Sequence, residues 1–69
     1  MSQYFINQNN IKKDRFEADI NESRHIMKVA RHRIGDELKI FDGCGKRYLA
    51  KIDLYENQRV SGAIKSELH

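Results

Sequence analysis

Residues 25–46, HIMKVARHRIGDELKIFDGCGK, decide the fold of this chain. They predict a short basic helix, a Gly-Asp turn, a strand, and a tight glycine turn into another strand. The helix should run from about residue 22 to 32, with Asn21 as its N-cap and Gly35 as the break soon after it. On a helix of about 3.6 residues per turn, three apolar side chains share a face suited to core packing: Ile26, Val29 and Ala30.

The opposite face of this helix is basic. Arg24, Lys28 and Arg31 recur at spacings that place them on one side. Three like charges on one helical face repel each other by about a few tenths of a kcal/mol per pair. An anionic partner would remove that cost, whereas a merely solvated outer face is the equally open alternative.

The charge of the whole chain is concentrated around this stretch. Residues 24–51 carry eight lysines and arginines against three acids, a local charge of +5, whereas the segments 1–23 and 52–69 each sum to −1. A basic region bounded by acidic flanks is typical of a nucleic-acid footprint.

Apolar and alternating patterns predict five short strands, at residues 3–6, 14–20, 37–41, 46–54 and 60–64. In the third strand Leu38 and Ile40 should face inward, and in the fourth one side carries Tyr48, Ala50, Ile52 and Leu54. With the helix, the order is ββαβββ. A chain of 69 residues is long enough for one small domain only, which we expect over residues 1–69. It buries only about 60% of its unfolded surface, so the core should be thin. The fold class is mainly β, a partly closed antiparallel barrel with one short helix. A small open α+β sheet is the alternative.

Several other classes of protein lack support in the sequence. No apolar run approaches the roughly 20 residues that span a bilayer, and the N-terminus lacks the features of a secretory signal. We therefore expect a cytoplasmic protein without a membrane partner. The single Cys44 forms no internal disulfide and, with His25, His32 and His69, makes no recognised zinc spacing. We expect no metal site.

No residue pattern indicates catalysis. Ser23 and His25 do not share a helical face and have no acidic partner for a triad. The Asp42–Gly45 turn lacks the Gly-Lys-Ser/Thr of a phosphate-binding loop, and a hairpin turn is the favoured interpretation. Tyr48 and Tyr55 lie seven residues apart and face opposite sides of a strand, so they form no paired stacking platform. One of them remains a candidate for stacking a base, although core packing is favoured.

The order and spacing of these pieces resemble a known family. Three segments carry the resemblance: YFI at 4–6, HIxxVxR at 25–31, and IGDExxxFDGxGxxYxAxI at 34–52. Together they are similar to the N-terminal domain of bacterial RsmE-type 16S ribosomal RNA uracil-N3 methyltransferases. The resemblance covers nearly the whole chain. Ala30 departs from the family, which usually has a leucine there.

The resemblance implies a PUA-like barrel that binds small-subunit ribosomal RNA. It also implies a separate C-terminal SPOUT methyltransferase domain, which carries the S-adenosylmethionine site and the main contacts of a homodimer. That domain would begin where this chain ends, so the chain is expected to hold no cofactor and no catalytic residue of its own.

The predicted RNA-binding surface consists of the basic helix, its C-terminal edge and the residues after the glycine turn: Arg24, Lys28, Arg31, His32, Arg33, Lys46 and Arg47. Two rivals stay open. The domain could be a protein-interaction module that docks on its own catalytic domain or on another chain. An independent small enzyme is the weaker rival, for want of a site.

Overall fold

The structure, a computed structural model, describes residues 3–68 and contains one six-stranded sheet. The strands are β1 (Gln3–Phe5), β2 (Ile11–Lys12), β3 (Arg15–Glu17), β4 (Glu37–Phe41), β5 (Arg47–Glu56) and β6 (Arg59–Leu68). Their order in the sheet is β1-β4-β5-β6-β3-β2. Helix α1 (Ile20–Arg24) continues as a π-helical turn (His25–Val29), and a 3₁₀ turn (Gln8–Asn10) precedes β2. The predicted mainly β, partly closed fold with one short helix is confirmed.

One strand pairing departs from the predicted antiparallel arrangement. β1 pairs with β4 in parallel, and the pairing continues beyond the strand because the Ile6 N–H donates to the Phe41 carbonyl at 2.9 Å. The other four pairings are antiparallel. Parallel neighbours require a long crossover, and the segment between β1 and β4 supplies one that contains a hairpin and the helix.

The second predicted strand, 14–20, is present but shorter, as β3, and it forms a hairpin with β2 that was not predicted. β2 and β3 are joined by a tight turn in which Lys13 takes a φ of +55°. The turn was missed because it contains no glycine, the residue that usually adopts this conformation. The last strand is longer than predicted and reaches Leu68.

The core lies on the inner face of the sheet, under the helix. Its fully buried residues are Tyr4, Ile6, Phe16, Ala18, Ile26, Leu38, Ile40, Ala50, Ile52 and Val60. The inward positions predicted for β4 and the middle of β5 are confirmed. Leu54 is 45% exposed, against the prediction that it faces inward with Ile52, because the register with β6 shifts between these two residues.

The helix begins two residues earlier than predicted. Its N-cap is Asp19, whose Oδ1 accepts the Glu22 N–H at 2.7 Å, and not Asn21. A carboxylate at the N-cap pairs with an orphan N–H group and also favours the positive end of the helix dipole. Asn21 lies inside the first turn.

The apolar face predicted for the helix is only partly correct. Ile26 is buried, but Val29 is 65% exposed and Ala30 is exposed. The π-helical turn explains the difference, since the Ala30 N–H bonds to the His25 carbonyl five residues back and shifts the helical phase. Because Ala30 is exposed, its small size removes nothing from the core.

The helical segment ends at Val29 with Ala30 as its C-cap, slightly before the predicted end at about residue 32, and the left-handed residue that follows it is Arg31. Arg31 has a φ of +59°, and the next N–H, from His32, donates to the Ile26 carbonyl at 3.0 Å. This bond reaches six residues back, one more than in a Schellman motif, because the preceding turn is π-helical. Glycine usually takes the left-handed position after a helix. Gly35, with a φ of +98°, lies in the turn before β4, where its N–H donates to the Ile52 carbonyl at 2.8 Å.

Ser23 connects the helix to the sheet. Its side chain is completely buried, and its hydroxyl donates to the Ala18 carbonyl at 3.3 Å and accepts the Val60 N–H at 2.8 Å. Ser23 therefore supplies an acceptor for a backbone N–H of β6 and links the helix to that strand. The helices within residues 3–68 lack the combined length and hydrophobicity that a membrane-spanning helix needs.

Candidate nucleic-acid interface

Part of the predicted basic surface borders a concave site, which we call the helix-side pocket. It has a volume of about 220 Å³ and is lined by Ile20, Arg24, Lys28, Tyr55 and Gln58. The first three residues belong to the helical segment, and the last two belong to the β5–β6 hairpin. The pocket thus combines two cations, an aromatic ring and an amide, and no carboxylate lines it.

The two cations of the helix-side pocket have no acidic partner among residues 3–68. Arginines elsewhere do: Arg15 forms a bidentate ion pair with Asp53 at 2.8 and 2.9 Å, and Arg59 lies 3.8 Å from Glu17. Neither Arg24 nor Lys28 takes part in any ion pair of the described chain. Their charges are therefore available to an external anion.

The hairpin that completes the pocket has an unusual turn. Asn57 and Gln58, which join β5 to β6, have φ values of +54° and +65°. Two consecutive left-handed residues define the tight hairpin turn that matches strand twist, but glycine is normally preferred at the second position. Holding a glutamine there costs about 1 kcal/mol or more of strain. The turn places Gln58 and the neighbouring Tyr55, which is 37% exposed, at the pocket.

The predicted residues after the glycine turn lie at another site. Lys46 and Arg47 border a second concavity with Gln3, Phe41, Gly43 and Gly45. Arg47 starts β5 and Tyr55 is near its end, so the two sites are separated by about 25 Å of strand. The structure therefore divides the predicted surface into two basic groups at opposite ends of β5.

The remaining predicted residues follow the helix. Arg31 and Arg33 are exposed, whereas His32 is half-buried. The His32 ring packs edge-on against Tyr4 with centroids 5.8 Å apart, and its Nδ1 lies 3.1 Å from Asp36 Oδ2. His32 therefore makes intramolecular contacts with Tyr4 and Asp36. The two arginines extend the positive charge of the helix towards β4.

Asp36 fixes this segment and has a perturbed pKa. The Arg33 N–H donates to its Oδ2 at 3.0 Å, and this bond, followed by the contact with His32, lowers the pKa of the carboxyl. The Arg15 guanidinium likewise lowers the pKa of Asp53 by hydrogen bonding. Both carboxylates are thus stabilised in their charged form, and both belong to structural contacts outside the helix-side pocket.

The glycine turn is held by Asp42, a nearly buried carboxylate. Its Oδ1 accepts the N–H groups of Cys44 at 2.7 Å and Lys46 at 3.1 Å. The turn joins the antiparallel strands β4 and β5, so the predicted hairpin turn is confirmed. Within residues 3–68, no three His, Cys, Asp or Glu side chains gather where they could hold a metal ion. His69 lies outside the described residues.

The predicted RNA-binding surface leaves out three residues that line the helix-side pocket: Ile20, Tyr55 and Gln58. The sequence leaves Tyr48 and Tyr55 as alternative candidates for stacking a base, and in the structure Tyr48 is half-buried against the core whereas Tyr55 lies at the pocket. The signal that could have found the site is an aromatic residue next to a polar two-residue hairpin turn. The distance of this hairpin turn from the helix, however, depends on how α1 packs on β6, which the local sequence does not indicate.

Solved structures share the whole fold of the chain. The ribosomal RNA small subunit methyltransferase E from Neisseria gonorrhoeae, bound to S-adenosyl methionine, is 26% identical, with a TM-score of 0.80 over 99% of this chain and 28% of its own. A predicted RNA methyltransferase from Thermotoga maritima is 20% identical, with a TM-score of 0.81 over 96% of this chain and 29% of its own. The chain therefore spans less than a third of the length of these proteins.

Comparison of the sequence with models of known families assigns this chain to one of them. No curated protein is significantly similar to the chain. The sequence model described as the RNA methyltransferase PUA domain matches residues 11–54, well over half of the chain. This match includes the helix, β4 and most of β5, the elements that carry most of the predicted basic surface. The chain belongs to the RNA methyltransferase PUA domain family.

Proposed function

We propose that this chain is the RNA-recognition domain of an S-adenosylmethionine-dependent methyltransferase that modifies 16S ribosomal RNA at uridine N3. In this proposal the domain binds small-subunit ribosomal RNA and positions it for a separate catalytic domain. The family supports the RNA methyltransferase class, and the name of the Neisseria gonorrhoeae relative supports the small-subunit target. Cytoplasmic location and a homodimeric full-length protein are parts of the same proposal.

The observation that carries the proposal is the helix-side pocket with its two unpaired cations. Phosphate contacts supply most of the affinity of nucleic-acid interfaces and fix the orientation of the RNA. Arg31 and Arg33 extend the positive surface along the chain, and Lys46 and Arg47 add a second contact at the far end of β5. An RNA that contacts both groups would cross the sheet over about 25 Å.

The cofactor belongs to the catalytic domain in this proposal. S-adenosylmethionine carries a positive sulfonium, which the two cations of the helix-side pocket would repel because no carboxylate lines that pocket. The residues of the pocket therefore do not fit the cofactor, and the chain is proposed to contribute RNA binding and no step of methyl transfer.

A second function, docking on a protein, is favoured by one observation. An open groove of about 580 Å³ is lined by apolar and polar residues of β1, β4, β5 and the helix end, including Tyr4, Ala30, Leu38 and Leu49. Close to it in sequence, Val29 and Ile34 are 65% and 55% exposed. Exposed apolar surface of this kind is typical of an interface, here with a methyltransferase domain or another chain.

The test is a titration of the chain with a small-subunit ribosomal RNA hairpin and with a DNA duplex of equal length, at several salt concentrations. The proposal predicts a preference for the RNA and an affinity that falls steeply with salt, because binding releases counterions. Equal binding of both nucleic acids, or none, would contradict it. Weak salt dependence, with a gain in thermal stability on adding a methyltransferase domain, would favour the docking function.

A further inference from the structure

The helix-side pocket has the size of a site for one flat group. Pockets that enclose whole small molecules measure about 300–1,000 Å³, whereas this one measures about 220 Å³. It is open on one side, and its walls come from two separate elements, the helical segment and the β5–β6 hairpin. A group that enters it can remain attached to a longer polymer outside.

The chemistry of the walls matches the parts of a nucleotide. Tyr55 offers an aromatic ring that is 37% exposed, and Ile20, 41% exposed, adds apolar surface. Gln58 carries both a donor and an acceptor, which suits the hydrogen-bonding edge of a base. Arg24 and Lys28 provide positive charge at the same site without internal acidic partners.

We propose that the helix-side pocket binds one unpaired nucleotide of RNA, with its base stacked on Tyr55 and its flanking phosphates contacting Arg24 and Lys28. The inference rests on the proposed RNA-binding function and specifies the kind of RNA. Stacking on an aromatic side chain requires a base that is free of its helix, so the ligand is a bulge, a loop or a single strand and not a continuous duplex.

The first test replaces the aromatic ring. Tyr55→Ala should weaken binding of an RNA hairpin with an unpaired loop about five- to a hundredfold, the range that loss of one base–aromatic stack produces. Tyr55→Phe keeps the ring and should bind like the wild type. Leu54→Ala, which removes a neighbour on β5 of comparable exposure, serves as the matched control. Circular dichroism of each variant checks that the sheet is intact.

The second test observes the stack directly. The chain contains no tryptophan, so Tyr55→Trp introduces a single indole whose fluorescence reports on the pocket. The looped hairpin should quench this fluorescence, whereas a fully paired RNA of the same length should not.

The third test concerns the cations. The double variant Arg24→Ala with Lys28→Ala should reduce the slope of log affinity against log salt by about 1.4, since each phosphate contact to single-stranded nucleic acid contributes about 0.7. The double variant Lys12→Ala with Lys13→Ala removes the same charge from exposed positions at the β2–β3 turn and should change the slope less.

The outcomes separate this inference from the function on which it rests. RNA binding that survives Tyr55→Ala at full strength, with an unquenched Trp at position 55, would overturn the nucleotide pocket and leave the RNA-binding function standing. A wild-type chain that binds no RNA would overturn both. Loss of binding in Tyr55→Ala, retention in Tyr55→Phe and quenching by the looped hairpin alone would establish the pocket.

Discussion

The inner face of the sheet and the outer face of the helical segment differ in what their side chains contact. Ile40 and Ile52 on the inner face are completely buried among apolar neighbours. On the outer face, Arg24 and Lys28 are exposed and pair with no acidic side chain of residues 3–68. Burial of apolar area stabilises the fold, whereas solvated charges contribute little to stability. Substitutions on the inner face should therefore lower the stability of the fold, whereas substitutions on the outer face should mainly change binding.

The largest effect is expected from the inner face. Ile52→Ala should lower the free energy of unfolding by about 2–5 kcal/mol, because it leaves a cavity at a fully buried position. Leu54→Ala, on the same strand but 45% exposed, should cost about 0.5 kcal/mol. Urea unfolding of both variants measures the difference. Equal losses would mean that the register shift between these residues does not separate inside from outside.

The next effect is expected where the two regions meet. Ser23→Ala should destabilise the domain by about 1–3 kcal/mol, since it leaves the buried Val60 N–H without its acceptor. Ser66→Ala removes a hydroxyl from an exposed position of β6 and is the matched control. If thermal unfolding showed no difference between the two, Ser23 would not connect the helix to the sheet as described.

A glycine scan of the helical segment should give opposite signs at two positions. Arg24→Gly should destabilise the chain by about 1 kcal/mol, the usual cost of glycine inside a helix. Arg31→Gly should stabilise it by about 0.5 kcal/mol, because glycine adopts a φ of +59° without strain. Denaturant midpoints distinguish the two cases, and a loss of stability at both positions would contradict the left-handed conformation of Arg31.

The smallest stability effect concerns acid. Because the pKa values of Asp36 and Asp53 are lowered in the folded chain, their contacts stabilise it above the ordinary carboxyl pKa of 3.8, and this contribution is lost as pH falls through the lowered values. Asp53→Asn should cost about 0.5 kcal/mol at neutral pH, since its ion pair with Arg15 is half-exposed. Unfolding curves of variant and wild type should converge in strong acid; a constant gap would contradict the assignment.

The strands of the inner face were predictable from sequence because period-2 alternation depends only on the local backbone. Leu38, Ile40, Ala50 and Ile52 all face the core as their spacing indicates. The exception is Leu54, which is exposed because a register shift between β5 and β6 reverses the side of the sheet on which its side chain lies. A shift of this kind depends on the partner strand and leaves no mark in the strand itself.

The helical segment was less predictable because its winding is irregular. The π-helical turn exposes Val29 and Ala30, and a left-handed Arg31 follows the helix without glycine. The candidate site was only partly predictable, because it depends on tertiary packing. The charge pattern identified Arg24 and Lys28, but only the packing of the helix beside the β5–β6 hairpin brings Tyr55 and Gln58 to them.

The outer face of the helical segment is proposed to bind RNA and to contribute little to the stability of the fold. The most direct test of this proposal is one set of samples in which Arg24, Lys28 and Arg31 are all changed to Glu, measured for both unfolding and RNA affinity. The control triple changes Lys12, Lys13 and Lys65 to Glu, with the same change in net charge at exposed positions outside the helical segment.

We expect the helical triple variant to unfold within about 1 kcal/mol of the wild type and to lose its affinity for the small-subunit RNA hairpin, while the control triple retains most of it. A folded helical triple variant that binds RNA as tightly as the wild type would contradict the account.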